Sequence, residues 1–167
     1  MSNFGSRILR SMLIASAAVA MMTSALAAGN TPPADARQLT AVELLRIFGD
    51  RTWVWENGGA FFQSRNRTFR AHSKDDGSRT YAEGRWRLTN SGRLCLQAEW
   101  RNASGRYPDV TCFSHVRSGT TIYQRRGRSG NWYVLVDKGR LPKTIVSGDV
   151  LSKEYAATRK AVSASRR

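Results

Sequence analysis

The chain shows three successive patterns of apolar and polar residues. An uncharged apolar run extends from residue 12 to 22, and apolar side chains at helical spacing follow between Leu39 and Phe48. From Thr52 onward, short runs rich in aromatic and β-branched residues alternate with turns rich in Gly, Asn, Asp and Ser. In order, these patterns predict an export signal, one helix and a β-rich domain.

The helical segment carries the signals of a capped N-terminus and a defined end. Thr40 and Glu43 have the spacing of a capping box, and Leu39 just before them fits a hydrophobic staple. Gly49 follows the last apolar position and is the expected end of the helix. We therefore expect one N-terminal helix ahead of the strands.

Eight β runs follow at close, even spacing. They cover residues 52–56, 60–64, 67–72, 79–88, 93–100, 110–117, 121–126 and 132–137. The connections are too short for crossover helices, which favours antiparallel pairing. The sequence predicts a mainly β fold, a small antiparallel barrel or sandwich of about eight strands. Gly84 lies inside the longest run and predicts a bulge or bend, and the five tryptophans are interpreted as core and lid residues.

The first 27 residues have the three parts of a secretory signal peptide. Arg7 and Arg10 precede the apolar run, and Ala25-Leu26-Ala27 provides a small-x-small cleavage site. The run is about half of the roughly 20 residues that span a bilayer. We expect cleavage after Ala27, a periplasmic or secreted protein, and no transmembrane segment in the mature form.

The rest of the chain is divided into three parts. Residues 28–38 read as a flexible leader, 39–151 as a single β-rich domain, and 152–167 as a basic C-terminal tail. The tail contains Lys153, Arg159 and Lys160, and its apolar stripe is weak. We expect it to be frayed rather than packed as a helix.

The chain is strongly basic. It has 27 Lys and Arg against 12 Asp and Glu, a formal net charge of +15. Removing the two arginines of the signal peptide lowers that charge to +13. Most of the cations are arginine, whose planar fork binds phosphate, sulfate or carboxylate with two hydrogen bonds. The composition fits a surface that faces polyanions, and it fits a merely soluble surface equally well.

Two groups of arginines lie beside aromatic residues. We take them as candidate ligand-binding residues: Arg65, Arg67 and Arg70 around Phe69, and Arg125, Arg126 and Arg128 with Tyr123. Arginine interleaved with aromatics suits anionic sugars and phosphate groups. It also suits nucleic acid, but an exported protein rarely meets nucleic acid, so we expect no such partner.

Cysteine and histidine usage indicates a disulfide and no metal site. Cys95 and Cys112 are the two cysteines and fall on consecutive predicted strands, which suggests a disulfide in an exported protein. His72 and His115 are the two histidines, and neither has a neighbour at ligand spacing. We expect neither a metal nor another cofactor.

The sequence contains no convincing catalytic constellation. Glu83 and Glu99 could be neighbours across two strands and act as an acid–base pair in glycan hydrolysis. Salt bridges from both carboxylates to nearby arginines are the alternative that we favour.

Several ordered motifs resemble one known family. They are L-x-x-F-G-D-R-T-W-x-W from Leu45 to Trp55, E-G-R-W-x-L from Glu83, G-R-L-C ending at Cys95, C-F at Cys112 and N-W-Y-V from Asn131. Together they resemble domain-of-unknown-function family 995, small exported proteins of bacteria, over roughly residues 39–150. The resemblance implies export and a small β-rich fold, and it implies no catalytic residues. The fold is also similar to calycin-type barrels, an analogy that says nothing about the ligand.

We therefore expect a non-enzymatic exported binding or envelope-accessory protein. Its expected partner is an anionic envelope component: acidic polysaccharide, lipopolysaccharide phosphate or anionic lipid. One alternative is an inhibitor of a secreted enzyme such as a cell-wall hydrolase. A second is a glycan-processing enzyme that uses Glu83 and Glu99.

Overall fold

The computed structural model describes residues 31–75 and 77–165. The predicted signal peptide, its cleavage site at Ala27 and the first residues of the leader lie outside these ranges. The described elements are β1 (Arg37–Gln38), α1 (Ala41–Phe48), β2 (Arg51–Trp55), β3 (Gly58–Gln63), β4 (Thr68–Asp75), β5 (Ser78–Leu88), β6 (Arg93–Asn102), β7 (Gly105–Ser118), β8 (Thr121–Arg126), β9 (Tyr133–Val136), β10 (Ile145–Ser147) and α2 (Ser152–Ala164).

The strands form one antiparallel sheet that curls into a half-barrel. Its order is β10-β2-β3-β4-β5-β6-β7-β8-β9, and β1 pairs with the end of β7. Trp53 of β2 and Phe113 of β7 are five strands apart in this order, which is about 24 Å in a flat sheet. Their ring centroids are 5.2 Å apart, so the sheet bends until these strands face each other.

The predicted mainly β, barrel-like antiparallel fold is confirmed. The eight predicted runs correspond to β2–β9 in order. The described chain adds two short strands, β1 and β10, and a second helix. Because β1 pairs with Arg117 and Val116 of β7, the end of the predicted flexible leader is part of the sheet.

Helix α1 packs into the concave side of the sheet. Its predicted capping box is present: Glu43 N–H donates to the Thr40 hydroxyl, and Thr40 N–H donates to the Glu43 carboxylate. Phe48 is fully buried, with its ring centroid 5.7 Å from that of Phe62 and 5.5 Å from that of His115. The helix therefore fills part of the concave side and leaves the rest open.

Gly84 is needed for close packing rather than for a bulge. The pairing of β5 with β4 and with β6 continues in register through Gly84. A Cβ at this position would lie 2.1 Å from the Gln97 carbonyl oxygen and 2.7 Å from the Phe69 ring. Phe69 thus packs directly over the glycine, a pairing that only a residue without a side chain permits.

The C-terminal segment is a packed helix, which corrects the expectation of a frayed tail. Tyr155 and Val162 of α2 are buried with Tyr81 against the outer face of the sheet. Arg70 forms an ion pair with Asp149 just before the helix, and Lys74 lies 2.9 Å from Glu154. The apolar stripe is as narrow as the sequence indicates, and the helix nevertheless buries Tyr155, Thr158 and Val162. The β-rich domain therefore extends beyond the predicted limit at residue 151.

The predicted disulfide is present. Cys95 of β6 lies directly opposite Cys112 of β7, and the two are bonded with a Cα–Cα distance of 4.0 Å. Leu94 is fully buried on the concave side, so the alternation of the strand places the disulfide on the outer face.

We predict that reducing this disulfide destabilises the fold. The bond joins residues 17 positions apart, and closing a loop of that length contributes about 3 kcal/mol in the chain-entropy model. Urea unfolding of oxidised and reduced protein measures the difference. A Cys95→Ala/Cys112→Ala variant is the control and should not respond to reductant. Equal stability of the oxidised and reduced protein would contradict the prediction.

We also predict that the Glu43 cap loses its contribution in acid. The hydrogen bond from Arg37, followed by the bonds from Thr40, lowers the pKa of Glu43 to about 2. The unfolded value is about 4.3, so the contribution is complete above pH 4.3 and is lost as the pH falls through 2. Glu43→Gln should cost about 1–2 kcal/mol at pH 7. Urea titrations should show this difference shrinking by more than half at pH 3. A difference that is the same at both pH values would refute the ionic origin of the effect.

Candidate functional site

The concave side of the sheet encloses an apolar cavity of about 550 Å3. Its walls come from strands between β2 and β9. Three tryptophans, Trp53, Trp55 and Trp100, are among its aromatic residues, and all three are only half-buried. The cavity therefore presents indole rings that the protein itself does not cover.

A row of small residues explains why the cavity is hollow. Ala60, Ala71 and Ala82 are direct neighbours across β3, β4 and β5. The same row continues to Trp53 on one side and to Trp100 on the other. The side chains of Trp53 and Trp100 therefore lie at the two ends of this row of alanine methyl groups. Ala60 and Ala71 line the cavity, so larger residues at these two positions would fill this space.

Polar side chains lie on one wall of the cavity. Asp109, Thr111, Arg126 and Tyr133 come from β7, β8 and β9. Arg126 is exposed and lies opposite Phe113. The hydroxyl of Thr111 donates to Asp109 at 2.5 Å, and Asp109 is about 13 Å along β7 from the level of Arg126. Arg126 forms no ion pair with any carboxylate in the described residues.

A buried hydrogen-bond chain holds Tyr133 in this wall. Gln124 bridges the Tyr133 hydroxyl and the ring of His115, whose Nε2 lies 2.6 Å from Gln124 Oε1. His115 Nδ1 lies 3.1 Å from the Gly92 carbonyl oxygen. Burial lowers the pKa of His115 and raises the pKa of Tyr133. Burial therefore favours the uncharged form of both groups, and a neutral imidazole has only one N–H for the two oxygens that face its ring.

The chain matches the model of one protein family. A family model described as protein of unknown function (DUF995) matches residues 12–144. The chain belongs to the DUF995 family. All the cavity-lining residues lie inside the matched segment, and α2 lies outside it. Neither the curated proteins nor the solved structures gave a match. Among the described helices of this DUF995 chain, none is long and apolar enough to cross a membrane.

The DUF995 fold does not bring Arg65, Arg67 and Arg70 together. Arg65 is exposed in the turn between β3 and β4. The guanidinium of Arg67 lies 4.6 Å from the centroid of the buried Trp86 ring. Arg70 points to the outer face, where it pairs with Asp149 and anchors the start of α2. Adjacent strand positions face opposite sides, so closeness in sequence does not produce a common site.

The second candidate group is divided between the two faces of the sheet. Arg126 lines the cavity. Arg125 points outward, and its guanidinium lies 4.5 Å from the Trp132 ring centroid. Arg128 joins Arg125 at a depression on the outer face. Tyr123 is opposite Val116 of β7 and does not line the cavity.

Glu83 and Glu99 are direct neighbours on β5 and β6. Arg101 donates to Glu99 at 2.5 Å and lies 3.9 Å from Glu83. Tyr155 donates to Glu83 at 2.5 Å, and Arg159 lies 3.7 Å from it. This is the salt-bridge arrangement rather than a pair of unengaged carboxylates. Within the described residues, no three His, Cys, Asp or Glu side chains come together as metal ligands.

The sequence interpretation missed the cavity because it assigned all five tryptophans to the core or a lid. Trp86 is fully buried and fits that assignment. Trp53, Trp55 and Trp100 pack against the core and also line the cavity. The available signal was the alanine at a matching position of three successive strands, and it becomes visible only once the register is known.

We predict that Gln124→Leu weakens the wall that carries Tyr133. Leucine has a similar volume but leaves His115 Nε2 without a partner, and a buried unsatisfied polar group costs about 1–3 kcal/mol. The matched control is Gln97→Leu on the exposed outer face of β6, expected to stay within about 0.5 kcal/mol. Urea unfolding compares the two variants. Equal effects would show that the hydrogen-bond chain contributes nothing.

Proposed function

We propose that this protein is an exported, non-enzymatic binding protein of the cell envelope whose ligand is an anionic amphiphile with an acyl chain. The observation that carries the proposal is the apolar cavity of about 550 Å3, with indole walls and an arginine at one side. Its volume lies in the usual range for small-molecule sites. Barrels of about eight strands can hold one small ligand in this way.

The apolar part of the cavity favours a ligand with a hydrocarbon chain. Protein interiors are close-packed, and an empty apolar hollow forfeits the contacts that its lining would otherwise make. Covering exposed apolar surface is worth about 25 cal/mol per Å2. A flexible chain lying on the row of alanines between Trp53 and Trp100 would gain this energy.

Arg126 favours an anionic head group. It is exposed at the cavity and pairs with no carboxylate of the described residues. Its fork can bind a carboxylate or phosphate with two hydrogen bonds, and Tyr133 lines the same wall. The net charge of +15 would also attract an anion from a distance.

Among the partners that the sequence suggests, the cavity favours an anionic lipid. An anionic lipid has an apolar part that fits the cavity, whereas an acidic polysaccharide has none. The predicted signal peptide supports an extracytoplasmic location. Glu83 and Glu99 are engaged by arginines, and no described feature favours an enzyme inhibitor, so we propose binding rather than catalysis.

The test uses cavity-filling and surface variants of one strand. Dodecanoic acid, dodecyl phosphate and uncharged dodecanol are titrated while tryptophan fluorescence is recorded. Thr111→Phe fills the cavity from β7 and should weaken all three ligands at least tenfold. Val110→Phe, the next residue on the opposite face and 67% exposed, should leave binding unchanged. Equal effects of the two variants would show that the ligand does not enter the cavity.

A second pair of variants tests whether Arg126 binds the anionic head group. Arg126→Gln should weaken the two anionic ligands about tenfold, or about 1.4 kcal/mol, and leave dodecanol unchanged. Arg79→Gln, which removes the same charge from an exposed position on β5, should change none of them. If both variants weaken the anions equally, the attraction is only that of the overall charge.

A further inference from the structure

The outer face of the sheet carries an arginine-lined depression of about 330 Å3. Arg93 of β6, Ser114 of β7 and Arg125 of β8 lie in one row across three neighbouring strands. Arg128 and Trp132, from the segment after β8, complete the depression. The protein thus gathers three guanidinium groups around one hollow.

Two of the arginines that line the hollow carry a hydrogen-bond donor that the described residues do not use. The Nε atoms of Arg93 and Arg125 are buried and have no hydrogen-bond partner among the described residues. In that part of the chain, none of the three arginines pairs with a carboxylate. A buried donor without a partner is costly and calls for an explanation. An anionic ligand would supply the missing acceptors.

The geometry leaves room for a group the size of phosphate. Neighbouring strands are about 4.8 Å apart, so the backbones that carry Arg93 and Arg125 are separated by about 10 Å. Ser114 between them is short, and its hydroxyl already donates to the Gly127 carbonyl oxygen at 3.1 Å. The Cζ atom of Arg125 lies 4.5 Å from the centroid of the Trp132 ring. This cation–π contact helps to fix the position of the guanidinium.

We propose that this depression is a second binding site, specific for a phosphate monoester group. Its two negative charges and several acceptor oxygens match three guanidiniums better than a single carboxylate does. The Nε–H and one Nη–H of an arginine can together bind two of the oxygens. The site lies on the face opposite to the cavity, because Arg125 and Arg126 are adjacent in one strand. It therefore does not rest on the cavity ligand.

The first experiment titrates inorganic phosphate by calorimetry at constant ionic strength. The decisive variant is Arg93→Lys/Arg125→Lys, which retains both charges but removes both Nε–H donors. We expect at least a tenfold loss of affinity, with the melting temperature measured to show that the variant is folded. Unchanged affinity in the folded variant would overturn the proposal, because charge alone would then explain binding.

Two control variants distinguish phosphate binding at this site from attraction by the overall charge and from binding in the cavity. Lys153→Gln/Lys160→Gln removes two exposed charges of α2 and should change phosphate affinity less than twofold. Arg126→Gln removes any phosphate bound at the cavity, and it should weaken phosphate binding less than Arg93→Lys/Arg125→Lys does. A loss in either control that equals the loss in the lysine variant would also overturn the site.

The source of the phosphate group is distinguished with vesicles. Vesicles of phosphatidic acid present a monoester, and vesicles of phosphatidylglycerol with equal surface charge present a diester. A preference for phosphatidic acid that is lost in Arg93→Lys/Arg125→Lys identifies a lipid head group. Binding of free phosphate with no vesicle preference identifies a soluble phosphate compound. If the wild type binds neither free phosphate nor phosphatidic acid in preference to phosphatidylglycerol, there is no such site.

Discussion

Each residue of a β-strand faces the side opposite to its neighbour, and in this protein the two sides of the sheet have different surroundings. The concave side is divided between α1 and the apolar cavity, and the outer side is divided between α2 and an arginine-rich surface. Arg125 and Arg126 show the consequence most directly, because one peptide bond sends them to different sites. The curvature of the sheet adds the second constraint, since it brings Trp53 within contact of Phe113.

The same alternation explains how a small domain can have both a core and a hollow. Phe48, Phe62, Phe69 and Trp86 pack closely at the α1 side of the concave face. One row further along the strands, the inward positions are alanines. Close packing therefore stabilises one end of the half-barrel, and small residues leave the other end open. Phe62 and Phe69 belong to both regions, because they pack in the core and also line the cavity.

The sequence predicted the strands well because each depends on a local pattern. The capping box of Thr40 and Glu43 and the pairing of Cys95 with Cys112 were likewise predictable from spacing and from the order of the strands. The cavity was not predictable in this way, since Ala60, Ala71 and Ala82 become one surface only through long-range register. Helix α2 was missed because its weak apolar stripe understates what Tyr155, Val162 and the ion pairs contribute once Tyr81 is placed opposite.

The described sheet has two edge strands at the ends of its path, β9 and β10. Within the described chain, the path of strands ends at β9 and at β10, each of which pairs with a single neighbour. Strands with one hydrogen-bonded side separate from a sheet at lower free energy than strands in its middle. Tyr133 belongs to β9, so the cavity wall that bears it has backbone hydrogen bonds to a neighbouring strand on one side only. We therefore expect a long ligand of the kind proposed to enter at this edge of the sheet rather than between β6 and β7, which the disulfide links.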